Sequence, residues 1–211
     1  VDIVYQDERI VVAIKPAGVI STDVRNGMPE LLRRQLHTDC IRTVHRLDAP
    51  VSGLMVLARS SRAAAEISAQ IRDGAFSKAY LAVLRGVPQE MSGELIDLLG
   101  RDRERRMTYV ADAPGKGVQE ARLRYEVLAV RDGLSLVRVE LLTGRTHQIR
   151  VQFASRGLPL AGDRRYGSPG DLLSPIALWS AHLSFRHPET GAEMTFDRQP
   201  PAIPPWDVFG I

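Results

Sequence analysis

The stretch ARLRYEVLAVRDGLSLVRVELL, Ala121 to Leu142, holds two β-rich runs joined across Asp132-Gly133. Both central residues of a two-residue hairpin turn need positive φ, and an Asp-Gly pair supplies them at little cost. On the second run Val137, Val139 and Leu141 point one way while Arg138 and Glu140 point the other, which is the period of a half-buried strand. The stretch therefore predicts an antiparallel hairpin.

Working outward, strands continue to outnumber helices. Ile10 to Ile14 is a β-branched run closed by Lys15-Pro16-Ala17-Gly18, and Gly53 to Ala58 is apolar enough for a buried strand. Ala79 to Leu84 resumes strand character, and Leu183 to Phe185 and Met194 to Phe196 flank a turn at His187 to Gly191. Three helices stand between them. Pro29 starts one through Leu31, Leu32 and Leu36; Ala63, Ile67 and Ile71 recur every four residues before a capping Gly74; Thr146 is placed to cap a third that carries Ile149 and Phe153 and ends at Gly157. A broken region with Pro88 and Gly93 leads into Arg101 to Arg106, whose mixed charges fit either a solvated strand edge or a phosphate-binding surface. Pro200 to Pro205 reads as a tail packed on the surface. No βαβ rhythm runs through the chain, so the expected class is α+β, with a mostly antiparallel or mixed central sheet flanked by helices. At 211 residues one domain over 1–211 is expected.

Composition narrows the function classes. Hydrophobic residues make up 44% and charged residues 25%, which excludes disordered, collagen-like and disulfide-scaffold chains. Cys40 is the single cysteine, so neither an internal disulfide nor a multi-cysteine zinc site can form, and a reducing compartment is expected. No apolar run approaches the roughly 18 residues of a membrane span, and Val1-Asp2-Ile3 does not begin a signal peptide. A cytoplasmic protein with no membrane partner is the expectation. The net charge of +3 says little, but 25 arginines stand against three lysines. That ratio fits bidentate phosphate contacts, and it fits genomic base composition equally well.

Several chemistries fail on spacing. Gly115-Lys116-Gly117 lacks the pattern of a P-loop, and no Gly-x-Gly-x-x-Gly follows a strand. Cys40 near His45 reads better as an inert thiol than as a nucleophile. His45, Asp48 and His147 could supply a metal, yet the helical His-x-x-x-His and Glu-x-x-His spacings are missing and Arg46, Arg145 and Arg150 would crowd the site with positive charge. No metal is expected. Asp48, between Leu47 and Ala49-Pro50, has two readings: an Asx-turn residue, or a carboxylate held rigid yet accessible at a sheet edge. His147 and Arg150 lie three apart and share a helix face. An arginine brought within about 4–6 Å of Asp48 would favour its ionised form.

His45-Arg46-Leu47-Asp48 with Ser52-Gly53, Lys78-Ala79-Tyr80, Gly144 to Val151, and Gly162-Asp163 with Tyr166-Gly167 occur in an order that resembles the RluA-type family of RNA pseudouridine synthases. Ile14 to Gly18 and Leu183 to Gly191 extend the resemblance over nearly the whole chain. The chain departs from the family in Ala49-Pro50-Val51, where relatives usually carry polar or charged residues, and with no room before Ile3 the expectation is that the small N-terminal RNA-binding domain of some relatives is not present.

The resemblance implies isomerisation of uridine to pseudouridine in structured RNA, ribosomal or transfer, in a cleft across the sheet and without a cofactor. It implies Asp48 as the catalytic carboxylate, Arg150 as its ion-pair partner and Tyr80 as the active-site tyrosine. Arg46 would fill the gap left by a flipped base. Arg145 and His147 are candidates for RNA contact, although His147 serves equally well as a capping or packing residue. A monomer is expected. A catalytically inactive RNA-binding protein on the same fold is the alternative, and Asp48, Tyr80 and Arg150 together argue against it.

Overall fold

The computed structural model describes residues 1–211 except 168, 172 and 174. In chain order the elements are β1 (Asp2–Gln6), β2 (Ile10–Lys15), α1 (Met28–Leu36), β3 (Arg42–Thr43), β4 (Ser52–Ala58), α2 (Ser61–Arg72), β5 (Ser77–Arg85) and β6 (Ser92–Asp102). There follow β7 (Met107–Val110), β8 (Gln119–Arg131), β9 (Leu134–Leu141), α3 (Gln148–Ala154), β10 (Leu178–Arg186), β11 (Glu193–Asp197) and a 3-10 turn at Trp206–Phe209. They group into two compact units, Val1–Lys78 with Trp179–Gln199, and Ala79–Leu178 with Pro200–Ile211. Each unit draws on segments remote in sequence, so no single cut of the chain separates them. The α+β class holds for both.

In the first unit β2 lies antiparallel between β1 and β4, and β4 pairs in parallel with β10, which carries β11 antiparallel. The sheet is therefore mixed. Strand side chains alternate faces, and both faces of the central strands are apolar. Ile10, Val12, Leu54 and Val56 pack under α2 with Ala63 and Ile67. Val11, Ala13, Met55 and Leu57 pack under α1 with Met28 and Leu32. This two-sided burial explains why the sequence of β2 and β4 is apolar without alternation. Gly53 has φ 117°, and a Cβ there would lie 2.4 Å from the Ser180 carbonyl oxygen, so the approach of β4 to β10 excludes any side chain.

The second unit is antiparallel throughout, in the order β5-β9-β8-β6-β7. The hairpin read from Ala121 to Leu142 forms with positive φ at both Asp132 (51°) and Gly133 (72°). One expectation is corrected in part: the chain is irregular around Pro88, but Gly93 is no break and lies inside the eleven-residue β6. Its glycines are covered by cross-strand tyrosines, Tyr125 opposite Gly93 and Tyr109 opposite Gly100, and Leu95 and Leu99 turn inward. The expected cap of α3 is also corrected. His147, at φ 54°, occupies the N-cap position and Thr146 does not cap; the Gln148 side-chain oxygen instead reaches back to accept from the Arg145 amide at 3.0 Å and the Thr143 hydroxyl at 2.8 Å. Among the described residues no helix is long and apolar enough to cross a membrane.

Candidate active site

Arg46 and Asp48 sit in the first unit on an extended segment entering a turn closed by the Val51 amide on the Asp48 carbonyl at 3.0 Å. His45 and Leu47 are buried, Arg46 is exposed and Asp48 is half-buried, so the two candidate side chains alternate with two that anchor the segment. Each anchor has a partner. The Ser21 hydroxyl donates to the Leu47 carbonyl at 2.7 Å and accepts from the Leu47 amide at 3.0 Å. His45 Nε2 accepts from the Val56 amide of β4 at 3.1 Å, with the ring against Phe76.

Lys15, at the end of β2, is fully buried and donates from Nζ to the carbonyls of Pro16, Val19 and Ala49 at 2.9, 2.6 and 3.0 Å. Burial pushes its ammonium down to about 8, and the charge of Asp48 acts in the opposite direction. A lysine that closes a buried apolar run and grips the residue after Asp48 fixes the turn and puts positive charge beneath it. The sequence reading quoted Lys15 in a motif and gave it no role. The clue was a cation at the end of a run apolar on both faces.

His45 carries a pH dependence. Burial, and secondarily the charge of Lys78, pushes its imidazole down to about 3. The unfolded chain, at about 6.5, then binds the proton that the folded chain refuses. Stability from this group is present above 6.5 and is lost as pH falls toward 3. Between pH 7 and 4, the wild type is expected to lose about 3 kcal/mol more than His45→Gln, whose amide can accept from Val56 without titrating. Urea unfolding at the two pH values measures it, and parallel losses would remove His45 as the cause.

Tyr80, Arg145, His147 and Arg150 belong to the second unit. Tyr80 lies on β5 opposite Val139 and is buried. Arg150, 5% exposed, grips Asp163 with both arms of its fork, Nε to Oδ2 and Nη2 to Oδ1 at 2.8 Å each. Burial opposes ionisation of Asp163, but the bonds and charge of Arg150 outweigh it and hold the carboxyl below its ordinary range. The Arg150 guanidinium also stands 5.1 Å from the centre of the Tyr166 ring. The Tyr166 hydroxyl accepts from the Thr108 amide at 2.8 Å and lies 2.7 Å from His147 Nδ1. The shared face of His147 and Arg150 is therefore real, and it is organised by Asp163 and Tyr166, two motif residues to which the sequence reading gave no role. Arg145 is held by its Nε on the Glu120 carbonyl at 2.9 Å.

Comparisons with known proteins identify the family. Residues 9–155 match the family model described as RNA pseudouridylate synthase. The chain is 35% identical over 199 residues to the uncharacterized RNA pseudouridine synthase YhcT of Bacillus subtilis, covering 90% of this chain and 65% of that protein. It is 32% identical over 223 residues to the ribosomal large subunit pseudouridine synthase D of Zymomonas mobilis, covering 95% and 69%. The chain thus spans about two thirds of the length of these relatives. Among solved structures, human RNA pseudouridylate synthase domain containing 1 superimposes with a TM-score of 0.82 at 26% identity, over 96% of this chain and 84% of that one.

Proposed function

The chain belongs to the RNA pseudouridylate synthase family, and on that premise we propose that it isomerises uridine to pseudouridine within RNA. The bond from ribose C1′ to uracil N1 breaks, the base turns, and C1′ bonds to C5. The C5 hydrogen leaves to solvent as N1 gains a proton. The observation that carries the reading is the Asp48 turn, a half-buried carboxylate on a segment whose neighbouring residues are anchored by Lys15, Ser21 and His45. A carboxylate so held meets the demand that a catalytic group be pre-positioned by locked neighbours. Attack at C1′, addition to the base and removal of the C2′ proton all require it ionised.

Arg150 is the proposed ion-pair partner of Asp48, with Asp163 and Tyr166 fixing its fork. Tyr80 is the proposed partner of the uracil ring, where its ring stacks and its hydroxyl assists proton removal from C5. Arg145 and His147 contact the RNA. The reading extends to ribosomal or transfer RNA as substrate, the cytoplasm as compartment and a monomer as the acting species. The ribosomal activity named for the Zymomonas relative supports the first, and the lone Cys40 supports a reducing compartment.

An enzyme that works on a stacked base must extrude it, at a cost of a few kcal/mol. Arg46, exposed and two residues from Asp48, is proposed to stack in the vacancy. The test is release of tritium from RNA labelled at uracil C5, by wild type and Arg46→Ala, on a stem-loop and on an unpaired strand of the same local sequence. Wild type is expected to release label from the target, and Arg46→Ala to lose most on the stem-loop. No release from any cellular RNA by wild type would overturn the function. An equal loss on both substrates would reduce Arg46 to a phosphate contact.

A further inference from the structure

The second unit carries a groove of about 800 Å³ on the β6–β7 hairpin, lined by Arg101, Arg103, Tyr109, Lys116 and Arg145 among others. Its described lining holds four cations and no carboxylate. Among the described residues, no ion pair engages Arg101, Arg103 or Lys116, and all three are exposed. Several surface arginines elsewhere on the chain face acids, as Arg122 faces Glu94 and Arg156 faces Asp97. Here the charge is left uncompensated within a concavity.

An aromatic ring lies in the same groove. Tyr109 is 48% exposed, and it is not among the residues packed in the Leu99, Ala121 and Val151 cluster beneath this hairpin. Its ring rests over Gly100, its cross-strand partner; a Cβ on Gly100 would fall 2.4 Å from the ring carbon Cζ. Glycine at this position is the seat that lets the ring lie down on the strand. The groove also adjoins the candidate catalytic segment. Arg145 and Thr146 line it, the Thr108 hydroxyl ties the Thr146 carbonyl to β7 at 2.9 Å, and His147 and Arg150 follow directly.

Cations that track a backbone beside an exposed ring that accepts any base are the chemistry by which single-stranded nucleic acid is held. We propose that this groove binds an unpaired nucleotide flanking the target uridine, with its base stacked on Tyr109 and its phosphates on Arg101, Arg103, Lys116 and Arg145. The proposal rests on the pseudouridine synthase reading for the identity of the RNA, but its test reads binding alone.

Fluorescence anisotropy over a series of salt concentrations would compare a labelled stem-loop carrying unpaired flanking nucleotides with a blunt duplex. Tyr109→Ala is expected to weaken the flanked RNA about tenfold and leave the duplex unchanged, while Tyr109→Phe, which keeps the ring, binds as wild type does. Gly100→Ala, which lifts the ring from its seat, is expected to follow Tyr109→Ala with the melting temperature showing the fold intact. Arg103→Ala/Lys116→Ala, made on two exposed side chains, is expected to lower the slope of log affinity against log salt by about 1–2. An unchanged slope, or an equal effect of Tyr109→Ala on both RNAs, overturns the proposal. If these shifts appear while wild type releases no C5 tritium, the groove stands and the catalytic reading fails. If release occurs and the shifts do not, the reverse holds.

Discussion

Asp48→Asn is expected to abolish release of the uracil C5 hydrogen while leaving RNA affinity within a few-fold of wild type. The amide matches the carboxylate in shape, and the turn beneath it is held through backbone groups by Lys15, Ser21 and the Val51 amide. What disappears is the charge. Asparagine cannot attack C1′, add to the base or accept the C2′ proton, so all three routes close together. Single-turnover assays beside anisotropy separate rate from binding. Retained turnover would move the chemistry to another residue, and a large loss of affinity would recast Asp48 as an RNA contact.

Arg150→Met is expected to cut the chemical step by orders of magnitude, each tenfold corresponding to about 1.36 kcal/mol of lost transition-state stabilisation. A stability effect accompanies it. Asp163 is 1% exposed, and removing one member of a buried pair typically costs about 3–5 kcal/mol because the other charge is left uncompensated. The Arg165 and Tyr166 amides, at 2.9 and 3.2 Å from Asp163, soften that cost. The double variant Arg150→Met/Asp163→Asn removes the stranded charge and is expected to recover stability without recovering rate. Recovery of both would make Arg150 a purely structural residue, and weaker RNA binding with an intact chemical step would make it a phosphate contact. In that second case Arg145 is the next candidate for the partner of Asp48.

The hairpin at Asp132-Gly133 was legible because its turn needs a backbone conformation that few dipeptides adopt. The helix of Ala63, Ile67 and Ile71 was legible because one face is apolar and its ends are marked. Misreadings arose where a residue's effect depends on what lies across from it. Gly93 and Gly100 look like strand breakers until Tyr125 and Tyr109 are seen to cover them. Thr146 looks like a cap until Gln148 supplies the acceptor from inside the helix. For the candidate site, motif order disclosed which residues matter and concealed how they are held. The fork of Arg150 on Asp163 joins residues thirteen apart, and the grip of Lys15 on Ala49 spans 34. Such pairings follow from tertiary packing within each unit, and no local pattern encodes them.

The parallel pairing of β4 with β10 sets a schedule for synthesis. Ser52 and Gly53 leave the ribosome long before Trp179 and Ser180, the residues that complete their edge. At about 5–20 residues per second, the strand beside the Asp48 turn waits roughly 6–25 s for its neighbour. Through that interval the nascent chain carries an open sheet edge, a standing invitation to pair with another nascent copy. Gly53 raises the stakes, because a strand arriving there meets bare backbone. The partner that belongs lies far downstream, so the strand beside the carboxylate acquires its permanent neighbour only after that whole stretch has been made.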